Sequence, residues 1–168
     1  MDMNKMLQKA QRSGAYRWLL NRVIERMVPF NKPHGFRVIE LGDHHLKTLL
    51  PYRKRNLNHI RGLHACAMAT VSEFTTGFLL ISLLDAKKFR LIMQRLEMDY
   101  HYQGKMDAVA QFSISQQWLE SNVFTPLKTT PSVVVTCQVM IHDVEGNHLS
   151  TGNVYWQIKD WQQVKTKT

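Results

Sequence analysis

Disulfide frameworks, membrane anchors and signal peptides all leave marks that this sequence lacks. Its 168 residues contain two cysteines, Cys66 and Cys137. They lie far apart and Cys66 falls inside an apolar run, so both read as reduced thiols and a cytoplasmic setting is expected. No apolar run escapes charge for the roughly 20 residues of a membrane span. Residues 1–30 carry Arg and Lys throughout and have no compact apolar stretch of the kind that precedes signal cleavage. Five prolines and eight glycines build no low-complexity tract, and no internal repeat is visible. Negative charge is scarce: 13 Asp and Glu stand against 22 Lys and Arg, for a net charge of +9.

What is present is the composition of a globular chain, 44% hydrophobic and 21% charged, long enough for one domain that buries roughly 70% of its unfolded surface. The positive charge gathers in small clusters: Arg53-Lys54-Arg55, Lys87-Lys88 with Arg90, and Lys165 with Lys167. Such a surface suits nucleic acid, anionic lipid or a phosphorylated small molecule, and equally suits solvated loops and chain ends. No nucleic-acid motif with its spacing accompanies the charge, so no nucleic-acid partner is expected. His44 and His45 are adjacent and would point to opposite faces of a strand. They read as exposed turn histidines, and no metal is expected.

Residues 3–28 place Tyr16, Leu19, Leu20, Val23, Ile24 and Met27 at helical spacing, with Arg12, Arg17, Arg22 and Arg26 in other positions. This predicts an amphipathic helix stopped by Pro29. The expected organisation is an N-terminal helix, residues 1–30, docked on a domain of residues 31–168. A targeting segment or membrane-surface anchor is the competing reading of a basic amphipathic helix. Two short strands, 34–41 and 46–52, flank a turn at Gly42-Asp43-His44-His45. From 62 to about 84 a single helix is apolar nearly all round. Leu63, Ala67, Val71, Phe74, Phe78 and Ile81 line one face, and Ala65, Ala69, Ser72 and Thr76 the other; a helix of that kind is buried. Strands follow at 90–103, 106–114, 132–143 and 149–159, with a short helix or irregular crossover at 115–124. The order predicts an α+β fold in which a curved antiparallel sheet wraps around one hydrophobic helix.

That helix holds one charge, Glu73, and a carboxylate leaving water needs a partner or a purpose. Asn58 and His64 precede it, six residues apart, with Glu73 nine beyond His64. Nine residues of helix rise about 13.5 Å and turn about 900°, so His64 and Glu73 point opposite ways and cannot meet within one chain. If both serve one reaction, the second member comes from another copy, and the spacing predicts a two-fold dimer with two equivalent sites. Unpaired N–H groups at the helix start, 62–65, would polarise a carbonyl. Asn58 would hold water or that carbonyl, and Glu73 would act as base or nucleophile. Plainer roles compete: Glu73 paired with an arginine across an interface, His64 bonded to backbone, and Asn58 in a turn.

Segment 58–77 resembles the hot-dog-fold acyl-CoA thioesterases, in particular the phenylacetyl-CoA and hydroxybenzoyl-CoA thioesterase branch and its bacterial relatives. Those proteins carry an Asn or Gln, a His-Gly-Gly about six residues on, and an Asp or Glu nine residues after the His. Asn58, His64 and Glu73 fall at these places. The resemblance spans roughly residues 30–160 and implies hydrolysis of an acyl-CoA or related acyl thioester at a dimer interface, by a homodimer or dimer of dimers. It implies no metal and no cofactor beyond the coenzyme A of the substrate. Glu73 would be the base or nucleophile, the Ala65 N–H the oxyanion donor and Asn58 the orienting group, with a hydroxyl at Thr76 or Thr75 placing water. On this reading Lys87, Lys88 or Arg90 meet coenzyme A phosphates, and Met93, Met98 and Met106 line a tunnel for the acyl chain. One departure is plain: His-Gly-Gly becomes His64-Ala65-Cys66, whose methyl and thiol narrow the approach. The alternative expectation is therefore a non-catalytic hot-dog module that binds an acyl ligand or a protein partner.

Overall fold

Ser13-Gly14 interrupts the N-terminal helical pattern. The computed structural model describes residues 3–164 and divides the expected single helix into α1 (Met3–Arg12) and α2 (Gly14–Met27), with Ser13 extended at φ −134°, ψ 124°. Serine and glycine are weak helix formers. The apolar positions that predicted the helix, 16–27, all belong to α2, so their spacing carried no sign of the break. Pro29 ends α2 as expected. A 3-10 turn, Pro29–His34, with Pro33 inside it, then delays the first strand to Arg37. Lys165 and Lys167 lie outside the described residues.

Six strands form one antiparallel sheet: β1 (Arg37–Leu41), β2 (His45–Leu50), β3 (Phe89–Tyr100), β4 (Ala108–Ser113), β5 (Ser132–Asp143) and β6 (His148–Asp160). Their order across the sheet is β1-β2-β4-β5-β6-β3. Pro51 stops β2, since proline cannot donate to the ladder. His45 opens β2 instead of sitting in an exposed turn, and its Nε2 meets Glu40 Oε1 at 3.0 Å. In β5, Val135, Cys137, Val139 and Ile141 are buried and their neighbours are not, the period of two that made this strand legible. Between β4 and β5, Gln116–Leu119 is α-helical and Glu120–Phe124 widens into a π-turn.

Helix α3 (Ala65–Leu83) lies against the sheet and touches β2 through β6. Its small residues let strand backbone come close. A Cβ added at Gly152 would lie 3.2 Å from Ser72 Oγ, and one at Gly77 would lie 2.6 Å from the Trp156 ring. By length and composition alone α3 could cross a membrane, a test that a buried core helix also passes. Here Val71, Phe74, Leu79 and Leu80 fill the core under the sheet. A six-stranded antiparallel sheet around one buried helix is the hot-dog arrangement.

The two edges of the sheet differ. At β1, helix α2 lies alongside: Asn21 Nδ2 donates to the Val38 carbonyl at 3.0 Å, and the Val38 N–H donates back to Asn21 Oδ1 at 2.8 Å. Met6, Leu7, Ala10, Leu20 and Ile24 carry α1 and α2 into the central apolar cluster. At the other edge, β3 has twelve residues and no neighbour among the described residues on its outer side. Ile92 and Met93 there are 49% and 40% exposed, and the ladder to β6 is irregular between Met93 and Arg95.

Candidate active site

Two asparagines build the loop before α3. Asn56 is fully buried; its Nδ2 donates to the His34 and Pro51 carbonyls at 2.9 and 2.8 Å, and its Oδ1 meets His34 Nδ1 at 3.0 Å. Asn58 Oδ1 accepts the N–H groups of Ile60 and Gly62 at 3.1 and 2.9 Å, closing a turn in which Arg61 takes the left-handed φ of +59°. Its Oδ1 thus fills the turn role weighed for Asn58. Tyr52 Oη donates to the Arg61 carbonyl at 2.6 Å and holds that uncommon conformation.

The helix begins at Ala65, later than the apolar run suggested, because the preceding N–H groups are already engaged. Gly62 donates to Asn58, Leu63 to the Gly104 carbonyl at 2.8 Å, and His64 to the Asn56 carbonyl at 2.7 Å. His64 caps the helix: its Nδ1 accepts the Cys66 N–H at 3.0 Å and its carbonyl accepts those of Ala67 and Met68. His64 thus does backbone work, as its plainer reading held. The Ala65 N–H alone in this stretch has no acceptor among the described residues. The expected row of free N–H groups over 62–65 contracts to that one.

Glu73 occupies a partly open stripe of α3 with Cys66 and Thr70, positions three to four residues apart on one face. It is half-buried and makes no ion pair and no side-chain hydrogen bond among the described residues. Burial pushes its carboxyl above the ordinary glutamate value. Ala65 and Glu73 of one chain stand about 12 Å apart along the helix axis, so a single thioester group cannot touch both in the monomer.

The family model described as a domain of unknown function (DUF4442) matches residues 16–161. The chain belongs to the DUF4442 family. A search among curated proteins found no match. Among solved structures, the chain is similar to a Pseudomonas aeruginosa protein of unknown function described as a probable thioesterase, at 19% identity and TM-score 0.77, over 84% of this chain and 94% of that one. A second thioesterase of that organism, solved as a mutant, shares 11% identity at TM-score 0.68, over 90% and 99% of the two chains. A Haemophilus influenzae thioesterase shares 11% at TM-score 0.65, over 84% and 88%. At such identities these likenesses show the hot-dog fold.

Three expectations for this DUF4442 chain change with the geometry. Thr76 is fully buried; its Oγ1 donates to the Ser72 and Glu73 carbonyls at 3.0 and 3.1 Å and accepts Trp156 Nε1–H at 3.0 Å. Thr75 is fully buried as well, and its Oγ1 donates to the Val71 carbonyl at 2.6 Å. Both hydroxyls serve packing and neither reaches a water at the surface. Lys87, Lys88 and Arg90 do not converge. Lys88 lines one cleft and Arg90 another, Lys87 lines neither, and Arg90 Nη2 donates to Gln157 Oε1 at 3.2 Å. Among the described residues no cluster of His, Cys, Asp or Glu is arranged to hold a metal.

One side chain escaped the sequence reading. Tyr100 Oη donates to the Ala65 carbonyl at 3.0 Å, beside the free Ala65 N–H. Burial, and then the Cys66 thiol nearby, push its phenol above the usual tyrosine value. The alternation of Leu96, Met98 and Tyr100 could have set Tyr100 facing the helix. Only the register of β3 against α3 brings it to the first turn.

Proposed function

We propose that this protein hydrolyses acyl thioesters, with acyl-CoA as substrate, at sites formed between two copies of the chain. The observation that carries this reading is Glu73: a half-buried carboxylate with no ion-pair partner among the described residues, on the partly open stripe of an otherwise apolar helix. Perturbed carboxylates of this kind concentrate at functional sites. The free Ala65 N–H, the uncovered β3 edge and the thioesterases among the similar folds support it. In a two-fold dimer paired through β3, the Ala65 N–H of one protomer donates to the thioester carbonyl oxygen. The partner's Glu73 takes a proton from water, and the water oxygen bonds to the carbonyl carbon. The carbon–sulfur bond then breaks, and the leaving thiolate takes up the proton, giving carboxylic acid and free thiol. A raised pKa makes Glu73 the stronger base near neutrality.

Thiol release from a panel of acyl-CoAs tests the proposal. Glu73→Gln should lower the rate by a factor on the order of 10² to 10⁴, the usual contribution of a general base, while light scattering finds the assembly unchanged. Turnover equal to the wild type would end the assignment. The second reading, a non-catalytic acyl-binding module, is favoured by one observation, Ala65-Cys66 in place of two glycines. It predicts acyl-CoA binding with no thiol released by the wild type.

A further inference from the structure

A cleft of about 400 Å³ opens between the Pro29–His34 turn and the Lys54–Asn56 turn, lined by Lys32, Pro33, Arg53, Lys54 and Arg55. None of its four cations is in an ion pair among the described residues. Asp107, the carboxylate bonded to this segment, spends Oδ1 on the Tyr52 N–H at 2.7 Å. Like charges crowded into a concavity repel one another, and a bound anion relieves that cost. The Arg53 guanidinium does not wave in solvent. It lies over Gly35 and donates to the Pro33 carbonyl. Gly35 has φ +61°, a left-handed conformation that favours glycine, and a Cβ there would push the guanidinium aside. The cleft also sits in the basic part of the chain. Residues 1–55 hold twelve Lys and Arg against four Asp and Glu, a net +8 of the +9 carried by the whole sequence.

This cleft is wired to the start of α3. Asn56 follows Arg55, its side chain clamps His34 at the end of the opposite wall, and its carbonyl accepts the His64 N–H one residue before Ala65. We infer that Lys32, Arg53, Lys54 and Arg55 form the phosphate-binding cleft for the coenzyme A portion of the substrate, an inference that rests on the acyl-CoA reading above. Coenzyme A carries a diphosphate and a 3′-phosphate, which call for several cations in one concavity. The phosphopantetheine of a carrier protein offers a single phosphodiester. The cleft takes the place of Lys87, Lys88 and Arg90, which face separate regions.

Calorimetric titration of the full chain with free coenzyme A reads the cleft without turnover. The wild type should bind, more weakly as salt rises, and 3′-dephospho-coenzyme A should bind less well. The pair Lys54→Glu with Arg55→Glu, and separately Lys32→Glu on the facing wall, should each raise Kd about tenfold or more, the scale of lost charge-assisted hydrogen bonds. All three side chains are exposed, so these variants keep the fold, and Arg53→Lys gives a milder third. Arg12→Glu, a single charge reversal on exposed α1 outside the lining of the cleft, should leave Kd within about twofold, since salt screens exposed charges. An equal loss in Arg12→Glu, an unchanged Kd in the cleft variants, or no coenzyme A binding by the wild type would each overturn the inference. So would a loss found in Lys87→Glu with Lys88→Glu instead. Loss of activity on acyl-carrier protein with coenzyme A affinity intact would assign the surface to a protein partner and sink it too. Coenzyme A binding that depends on the cleft in a wild type that cleaves no thioester would leave the cleft standing and end the hydrolase reading alone.

Discussion

Glu73 is a residue that folding alone would not choose. Its native carboxyl has a raised pKa through burial, so the folded state favours the protonated form more than the unfolded state does. The sign follows: the penalty is fully present above the native pKa and disappears below the unfolded value of about 4.3. Glu73→Gln should therefore melt at a higher temperature than the wild type at pH 7, with the gain shrinking as pH falls towards 4. Scanning calorimetry across that range checks it, and equal melting temperatures at pH 7 would remove the strain from the argument. The same pKa sets the activity profile, since thiol release by an ionised Glu73 should climb with pH along an acid limb displaced above the ordinary carboxylate range. Glu73 and the Ala65 N–H were legible because one charge in an apolar helix and one helix start are sequence features. The tasks of Thr76 and Tyr100 were not. They depend on Trp156 lying under the helix and on β3 passing its first turn, both settled by tertiary packing.

The elements came through the sequence wherever a period or a proline marked them. Burial of alternate residues in β5 is the clearest case, and Pro29 and Pro51 end α2 and β2 where proline chemistry requires. The start of α3 was misplaced because partners outside the helix claim the backbone groups before it. Asn58, Gly104 and Asn56 take the N–H groups that would have extended α3 backwards, and no spacing rule records that competition. Asn21 is the element-scale counterpart, holding α2 to β1 through both polar groups of Val38. Asn21→Ala leaves a buried residue's N–H and carbonyl without partners, which should cost roughly 1–3 kcal/mol. The urea midpoint should fall with its slope unchanged, and a midpoint equal to the wild type would refute this account of α2.

Among the described residues the sheet is uncovered at its β3 edge, and an exposed strand edge invites pairing. Met93→Asp, or Ile92→Asp beside it, places charge where a second β3 would lie. Light scattering should then report a monomer, and thiol release should fall with it because each proposed site needs two chains. A variant that stays dimeric would move the interface elsewhere. The proposal of a two-copy site starts from spacing along α3, whereas the open β3 edge was not legible there, since edge strands are a property of sheet order. The opposite edge, held by Asn21 and flanked by α2, carries a further meaning. Long open sheets are the raw material of fibres, which grow because every added strand presents a fresh template. A sheet sealed on one flank offers no such template once its free flank is taken: joining two copies exhausts the polymerisable surface, and growth terminates itself.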